Sequence, residues 1–199
     1  MPTIALFGDD LLAGFQQETV TDAVTTRLQQ AFPNQQLRNL ALPGQSTAQA
    51  LTHVERDVVS LQAAIVILFF GSTDLDRKRQ IKVGIFAQNL NRLVQKLQPA
   101  QIILVSPPAF NSQLQPRRAW PRQLQFALAV EHLAQKYDLP YINLLQAMQK
   151  KEAKLYFRED GLTFNDQGYE LLSQLLDPVI SQLLQNSSAA TSQIQPAQQ

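Results

Sequence analysis

The 199-residue chain contains no cysteine. That excludes disulfides, thiolate metal centres and thiol nucleophiles, and it fits a cytoplasmic protein. Histidine is almost missing as well; two residues in the whole chain exclude a multi-histidine metal centre. Long hydrophobic runs are lacking: the longest, Ala63 to Phe70, is far too short to cross a bilayer, so no membrane span is expected. The opening Met-Pro-Thr-Ile-Ala-Leu-Phe-Gly has no basic segment followed by a long apolar one, and no signal peptide is expected. Neither sign of charge dominates. Seventeen Lys and Arg face 16 Asp and Glu, a net charge of +1, which gives no global signal for nucleic acid or an acidic membrane. No G-x-G-x-x-G follows the first strand, no phosphate loop occurs, and no G-x-S-x-G elbow occurs. No cofactor and no metal is therefore expected.

What remains describes a globular protein of about one domain, with 45% hydrophobic and 17% charged residues. Glutamine is in excess, 29 residues, mostly inside helical patterns where it is a good former. The composition changes at Asn186. From there to Gln199 only Ile194 is large and apolar, so a folded domain over 1–185 and a polar, mobile tail over 186–199 are expected. No internal repeat is visible, and the oligomeric state is not legible.

Short β-type runs alternate with helical patterns along the body. Strands are expected at Thr3–Phe7, Leu37–Ala41, Ala64–Phe70, Gln101–Ser106 and Pro140–Asn143. The third is apolar throughout, as in a parallel strand buried on both faces. Helices are expected at Thr19–Phe32, Thr47–Leu61, Lys82–Leu97, Pro121–Tyr137 and Asn165–Leu184, with Pro178 a possible kink. Five strands separated by helices imply one α/β domain, a parallel sheet between helical layers, with ligands at the carboxyl ends of the strands.

The loops at those ends carry four blocks in order. They are Gly8-Asp9-Asp10-Leu11-Leu12-Ala13-Gly14; Asn39 through Gly44 with Ser46; Gly71-Ser72-Thr73-Asp74; and Asp160-Gly161-Leu162-Thr163-Phe164-Asn165, followed by Gly168-Tyr169. Over roughly residues 3–185 the chain resembles the GDSL, or SGNH, hydrolase family of esterases, lipases and carbohydrate deacetylases. The resemblance implies a flavodoxin-like three-layer sandwich. It also assigns family positions: Asp10 stands where the family has its nucleophilic Ser, Gly44 is the oxyanion Gly, Thr73 stands where the oxyanion Asn is, Thr163 replaces the base His, and Asp160 matches the Asp that orients that His. Of the four name-giving residues only Gly44 is kept.

Ester cleavage by a hydroxyl nucleophile needs a base and an acid that orients it. A carboxylate at position 10 cannot play Ser, and a threonine hydroxyl is no base at neutral pH. The expectation is a relative without the esterase machinery, binding a small ester, acyl or carbohydrate ligand or a protein partner in the old cleft. The other reading is a hydrolase with carboxylate chemistry at Asp10 and Asp160. In it, that pair forms an acid/base couple or, with Asp9 or Asp74, holds a hard cation. Against both stands the plain reading that Asp9 caps backbone, Asp160 holds a turn and Asp10 is solvated. His53 and His132 read as surface residues. Arg117, Arg118, Arg122 and Trp120, in a long loop after the fourth strand, could meet an anionic or sugar-like ligand. Lys150, Lys151, Lys154 and Arg158 read as a solvated basic patch.

Overall fold

A computed structural model describes residues 2–192. The elements are, in chain order, β1 (Thr3–Gly8), β2 (Phe15–Gln16), β3 (Thr19–Val20), α1 (Ala23–Ala31), β4 (Gln36–Asn39), α2 (Thr47–Asp57), β5 (Ile65–Phe69), α3 (Val83–Leu97), β6 (Gln101–Val105), α4 (Trp120–Tyr137), β7 (Tyr141–Ile142), α5 (Leu144–Gln149) and α6 (Asp166–Ser192). Five strands pair in parallel in the order β4-β1-β5-β6-β7. Helices flank this sheet: α1 packs with α6, and α2, α3 and α4 pack in a row. The expected α/β sandwich with a five-stranded parallel sheet is what forms.

Burial explains the strand order. All five residues of β5 are buried, and in β1 only Thr3 is not. Such runs are stable only with helices over both faces, so they take the middle of the sheet. β4 (Gln-Leu-Arg-Asn) alternates between half-buried and exposed and takes an edge. From β1 the chain first crosses to one side, to β4, and then to the other, to β5. That reversal opens a crevice beyond the carboxyl ends of β1 and β5, where ligands bind in open α/β sheets.

The observed elements differ from expectation in three places. Residues 19–21 belong to the β2–β3 hairpin, not to a helix. Gln17 and Glu18, both at positive φ, form the two-residue turn, and the Thr21 hydroxyl donates to the Gly14 carbonyl at 2.7 Å. Gln-Glu lacks the Asn-Gly chemistry that normally announces such a turn. The short helix α5 is unexpected too; it starts where the Asn143 side chain accepts from the Gln146 N–H. The last helix continues past Leu184 to Ser192, through the start of the expected tail, and the Gln101 side chain donates to Ser187 Oγ at 3.3 Å. Residues 193–199 of that tail lie outside the described residues.

Where β1 ends, the chain comes so close to β5 that no side chain fits. A Cβ on Gly8 would sit 2.2 Å from the Phe69 carbonyl oxygen. Gly8→Ala is therefore expected to destabilise the fold by about 3 kcal/mol or more, since both partners are backbone and neither can swing aside. Urea unfolding of the two proteins measures this, and a change below 1 kcal/mol would show that the junction is looser than described.

Candidate active site

Two buried aspartates shape the crevice. Asp9 is fully buried, and its Oδ2 accepts from the Gly71 N–H (2.9 Å) and the Thr73 N–H (3.1 Å). Asp74 is equally buried and accepts from the backbone N–H and hydroxyl of Thr47 at the first turn of α2. Burial pushes the Asp9 carboxyl up to about 7, with Asp10 adding to the rise. Burial raises Asp74 as well, and the Thr47 donors oppose it.

Asp10 follows directly and lies on the crevice side, half-buried. Its Oδ1 accepts from the Gly44 N–H at 2.9 Å. Its Oδ2 accepts from the Thr73 hydroxyl at 2.8 Å, with the Ser72 hydroxyl farther off at 3.4 Å. Gly44 can aim its N–H this way because it sits at φ +69°, in the left-handed region where a side chain is strained. The loop is steadied from behind by Asn39, whose amide donates to the Leu12 carbonyl and accepts from the Ala41 N–H. Asp10 is thus not simply solvated; both of its oxygens are bound within the protein.

The last block forms a closed turn. Asp160 Oδ1 accepts from the N–H groups of Leu162 and Thr163, and Oδ2 accepts from the Thr163 hydroxyl at 2.6 Å. Thr163 is buried while Asp160 is exposed. Next to it Phe164 anchors the turn through ring contacts with Phe157 and Tyr169. Asp10 and this turn share no hydrogen bond among the described residues; a chain of hydrogen bonds links the turn to the loop after β5. Gln115 donates to the Asp160 carbonyl (2.8 Å) and accepts from Arg118 (2.9 Å), and Arg118 donates to the Ser72 carbonyl (3.1 Å).

That chain of bonds changes the reading of the arginines. Arg118 is buried, stacked 5.4 Å over the Phe110 ring and paired with Asp76 at 3.3 Å. Arg122 donates to the carbonyls of Leu75, Asp74 and Ile81. Both hold loops together and are not free for a ligand; Arg117 stays largely exposed. His53 is not a surface residue. It is half-buried, its Nδ1 lies 2.8 Å from Asp57 Oδ2, and its Nε2 meets the Gln45 amide. Arg158, expected in a solvated patch, is half-buried and donates to Gln16. His132 is exposed, as expected.

A profile of the GDSL-like lipase/acylhydrolase family matches residues 6–171, most of the chain. The chain belongs to that family. No curated protein matches it significantly. Among solved structures, a lipase/acylhydrolase from Enterococcus faecalis is similar over 100% of both chains, at 26% identity and a TM-score of 0.87. An acetylxylan esterase from Geobacillus stearothermophilus, solved as a catalytic mutant, is 18% identical, covers 88% of this chain and 92% of its own, and has a TM-score of 0.73. Solved variants of that esterase described as catalytic mutants replace a serine, a histidine and an aspartate.

In this GDSL-like chain the first three blocks follow β1, β4 and β5 as expected, whereas the fourth lies between α5 and α6, well past the end of β7; Asp10, Gly44 and Thr73 meet. The shared cation is not supported: Asp9, Asp10, Asp74 and Asp160 each have separate donors. Among the described residues no group of three or more His, Cys, Asp or Glu could hold a metal. Sequence reasoning missed Ser72, Gln115 and the buried role of Arg118; the one available signal was the position of Gln115 and Arg118 in the long loop already singled out.

The raised Asp9 sets a pH dependence. Between the ordinary carboxyl value and about 7, folded Asp9 holds a proton that the unfolded chain has lost. The folded state binds more protons there, so this group's contribution makes stability fall as pH rises from 4 to 7 and level off above. Asp74, shifted the same way, adds to the slope. Asp9→Asn is expected to flatten it; thermal unfolding of both proteins across that range checks this, and identical slopes would contradict it.

Proposed function

We propose that this GDSL-like protein is not an esterase: it keeps the family's fold and crevice for binding, with a small ester, acyl or carbohydrate ligand, or a protein partner, as occupant. The observation that carries this reading is the place of the Asp10 carboxylate. It takes the hydrogen bonds of the Gly44 N–H and of the side chain at position 73, the two donors that the family resemblance assigns to the oxyanion. In acyl transfer such donors face the charge that develops in the transition state. Here a negative oxygen already occupies them. A second oxyanion about 4 Å away would cost about 4 kcal/mol at an effective dielectric of 20, close to a thousandfold in rate.

The base position supports the same reading. Thr163 offers a hydroxyl instead of an imidazole, and that hydroxyl donates to Asp160, the residue that would orient a base. With the Asp160 oxygens committed to its own turn, a carboxylate-based hydrolase pairing Asp160 with Asp10 is the weaker reading.

The unaltered protein is expected to hydrolyse p-nitrophenyl acetate no faster than an inert protein control. Single replacements should do little, because members of a triad act as a unit and losing them costs on the order of a million-fold. Asp10→Ser, Thr73→Asn and Thr163→His together should give measurable hydrolysis, with Asp160 in place to hold the new imidazole. Robust turnover by the unaltered chain, abolished by Asp10→Ala, would overturn the reading in favour of the carboxylate-based hydrolase.

A further inference from the structure

The net charge of +1 conceals a strong segregation. Between Arg77 and Val130 there is not one Asp or Glu, while nine of the chain's 17 Lys and Arg lie there; the rest of the protein holds eight cations and all 16 acids. The same span carries five of the eight large apolar side chains that stand exposed among the described residues: Ile85, Leu114, Trp120, Leu124 and Leu128.

The fold gathers much of this span into one surface. Arg122, in the first turn of α4, donates to the Leu75 and Ile81 carbonyls and so holds the 76–82 loop against α4. Arg117 and Arg118 both reach Asp76, which brings in the 114–118 loop. Gly84 and Ala87 of α3 and Gln125 and Leu128 of α4 line one shallow groove. Trp120, Leu124 and Leu128 follow each other at four-residue spacing, along one side of α4. In the 76–82 loop Arg77, Lys78, Arg79 and Lys82 are exposed, and Arg79 reaches across to the Gly44 carbonyl at the rim of the crevice.

We propose that this face docks on anionic phospholipid bilayers, with the 77–82 cations on the headgroups and Trp120, Leu124 and Leu128 entering the interface. The proposal stands apart from the question of esterase activity. Cations alone would suit any polyanion. The protruding apolar groups decide for a lipid surface, because a phosphate backbone offers nothing for Leu124 and Leu128 to bury against, whereas an interface takes an apolar face and a basic fringe together. Trp is a favoured residue at that depth. No helix among the described residues is long and apolar enough to cross a membrane, so the contact would lie on the bilayer and not span it.

Trp120 is the only tryptophan of the chain, so its emission reports the contact directly. Full-length protein is mixed with vesicles of phosphatidylcholine alone or with phosphatidylserine added, in about 0.1 M and about 1 M NaCl. Expected are co-sedimentation and a blue shift of emission with the phosphatidylserine vesicles at low salt only. Arg77→Glu, Lys78→Glu and Lys82→Glu together should weaken partition about tenfold or more. Leu124→Ser should weaken it while leaving the salt dependence in place. Circular dichroism melting shows whether the variants are folded; if the triple variant is not, Lys78→Glu alone should still lower partition severalfold. The proposal is overturned by the absence of phosphatidylserine-dependent binding, by binding that ignores the charge reversals, or by binding to single-stranded poly-U RNA that persists while vesicles are refused.

Discussion

The buried carboxyl of Asp9 ties the loop after β1 to the loop after β5, and the geometry of the crevice follows from that tie. Oδ2 holds two backbone N–H groups of the 71–74 loop. Gly8, directly before it, lets the two strands come close enough for this. Once the loops are locked, Asp10 has little choice of direction: Gly44 and Thr73 stand on either side of it. A second lock, Asp74 on Thr47, fixes the start of α2 and with it the Gly44 loop. Both locks are carboxyls removed from water, and their raised proton affinity is what that burial costs.

Asp10 spends this preorganised setting on the protein itself. Donors fixed in a partly buried site interact strongly with an anion because they need not reorganise. In this chain the anion is built in. The same donors that would favour charge in a transition state instead favour a resting carboxylate, and a charge-assisted hydrogen bond of this kind contributes roughly 1.5–3 kcal/mol. The Thr163 turn is likewise closed on itself through Asp160. The proposal of a binding protein rests on these two closures together, and the family supplies the scaffold on which they occur.

Much of this was legible in the sequence, for physical reasons. β5 announces itself by five apolar residues in a row, and the Gly, Asn and Asp residues of the four blocks mark loops that need tight turns and backbone caps. The hairpin at Phe15–Val20 was not legible, since Gln17 and Glu18 are poor turn residues held there by Gly14 and Thr21. Nor was the fate of Arg118 and Arg122: nothing local says that a guanidinium will bind carbonyls from a loop some 45 residues earlier in the chain. His53 reads as polar surface on its helix, yet Phe7, Gln45 and Asp57 enclose it. A net charge of +1 argued against an acidic partner, but a sum over the chain cannot see that its acids and bases are segregated.

The central claim is that a carboxylate of the protein fills the position between Gly44 and Thr73. The amide proton of Gly44 reports it most directly. In ¹H–¹⁵N spectra at neutral pH this resonance should lie downfield, as expected for an N–H that donates to a carboxylate. It should move well upfield in Asp10→Ala, with the resonances of β5 and β6 little changed. A Gly44 amide that does not respond to the loss of Asp10 would contradict the account.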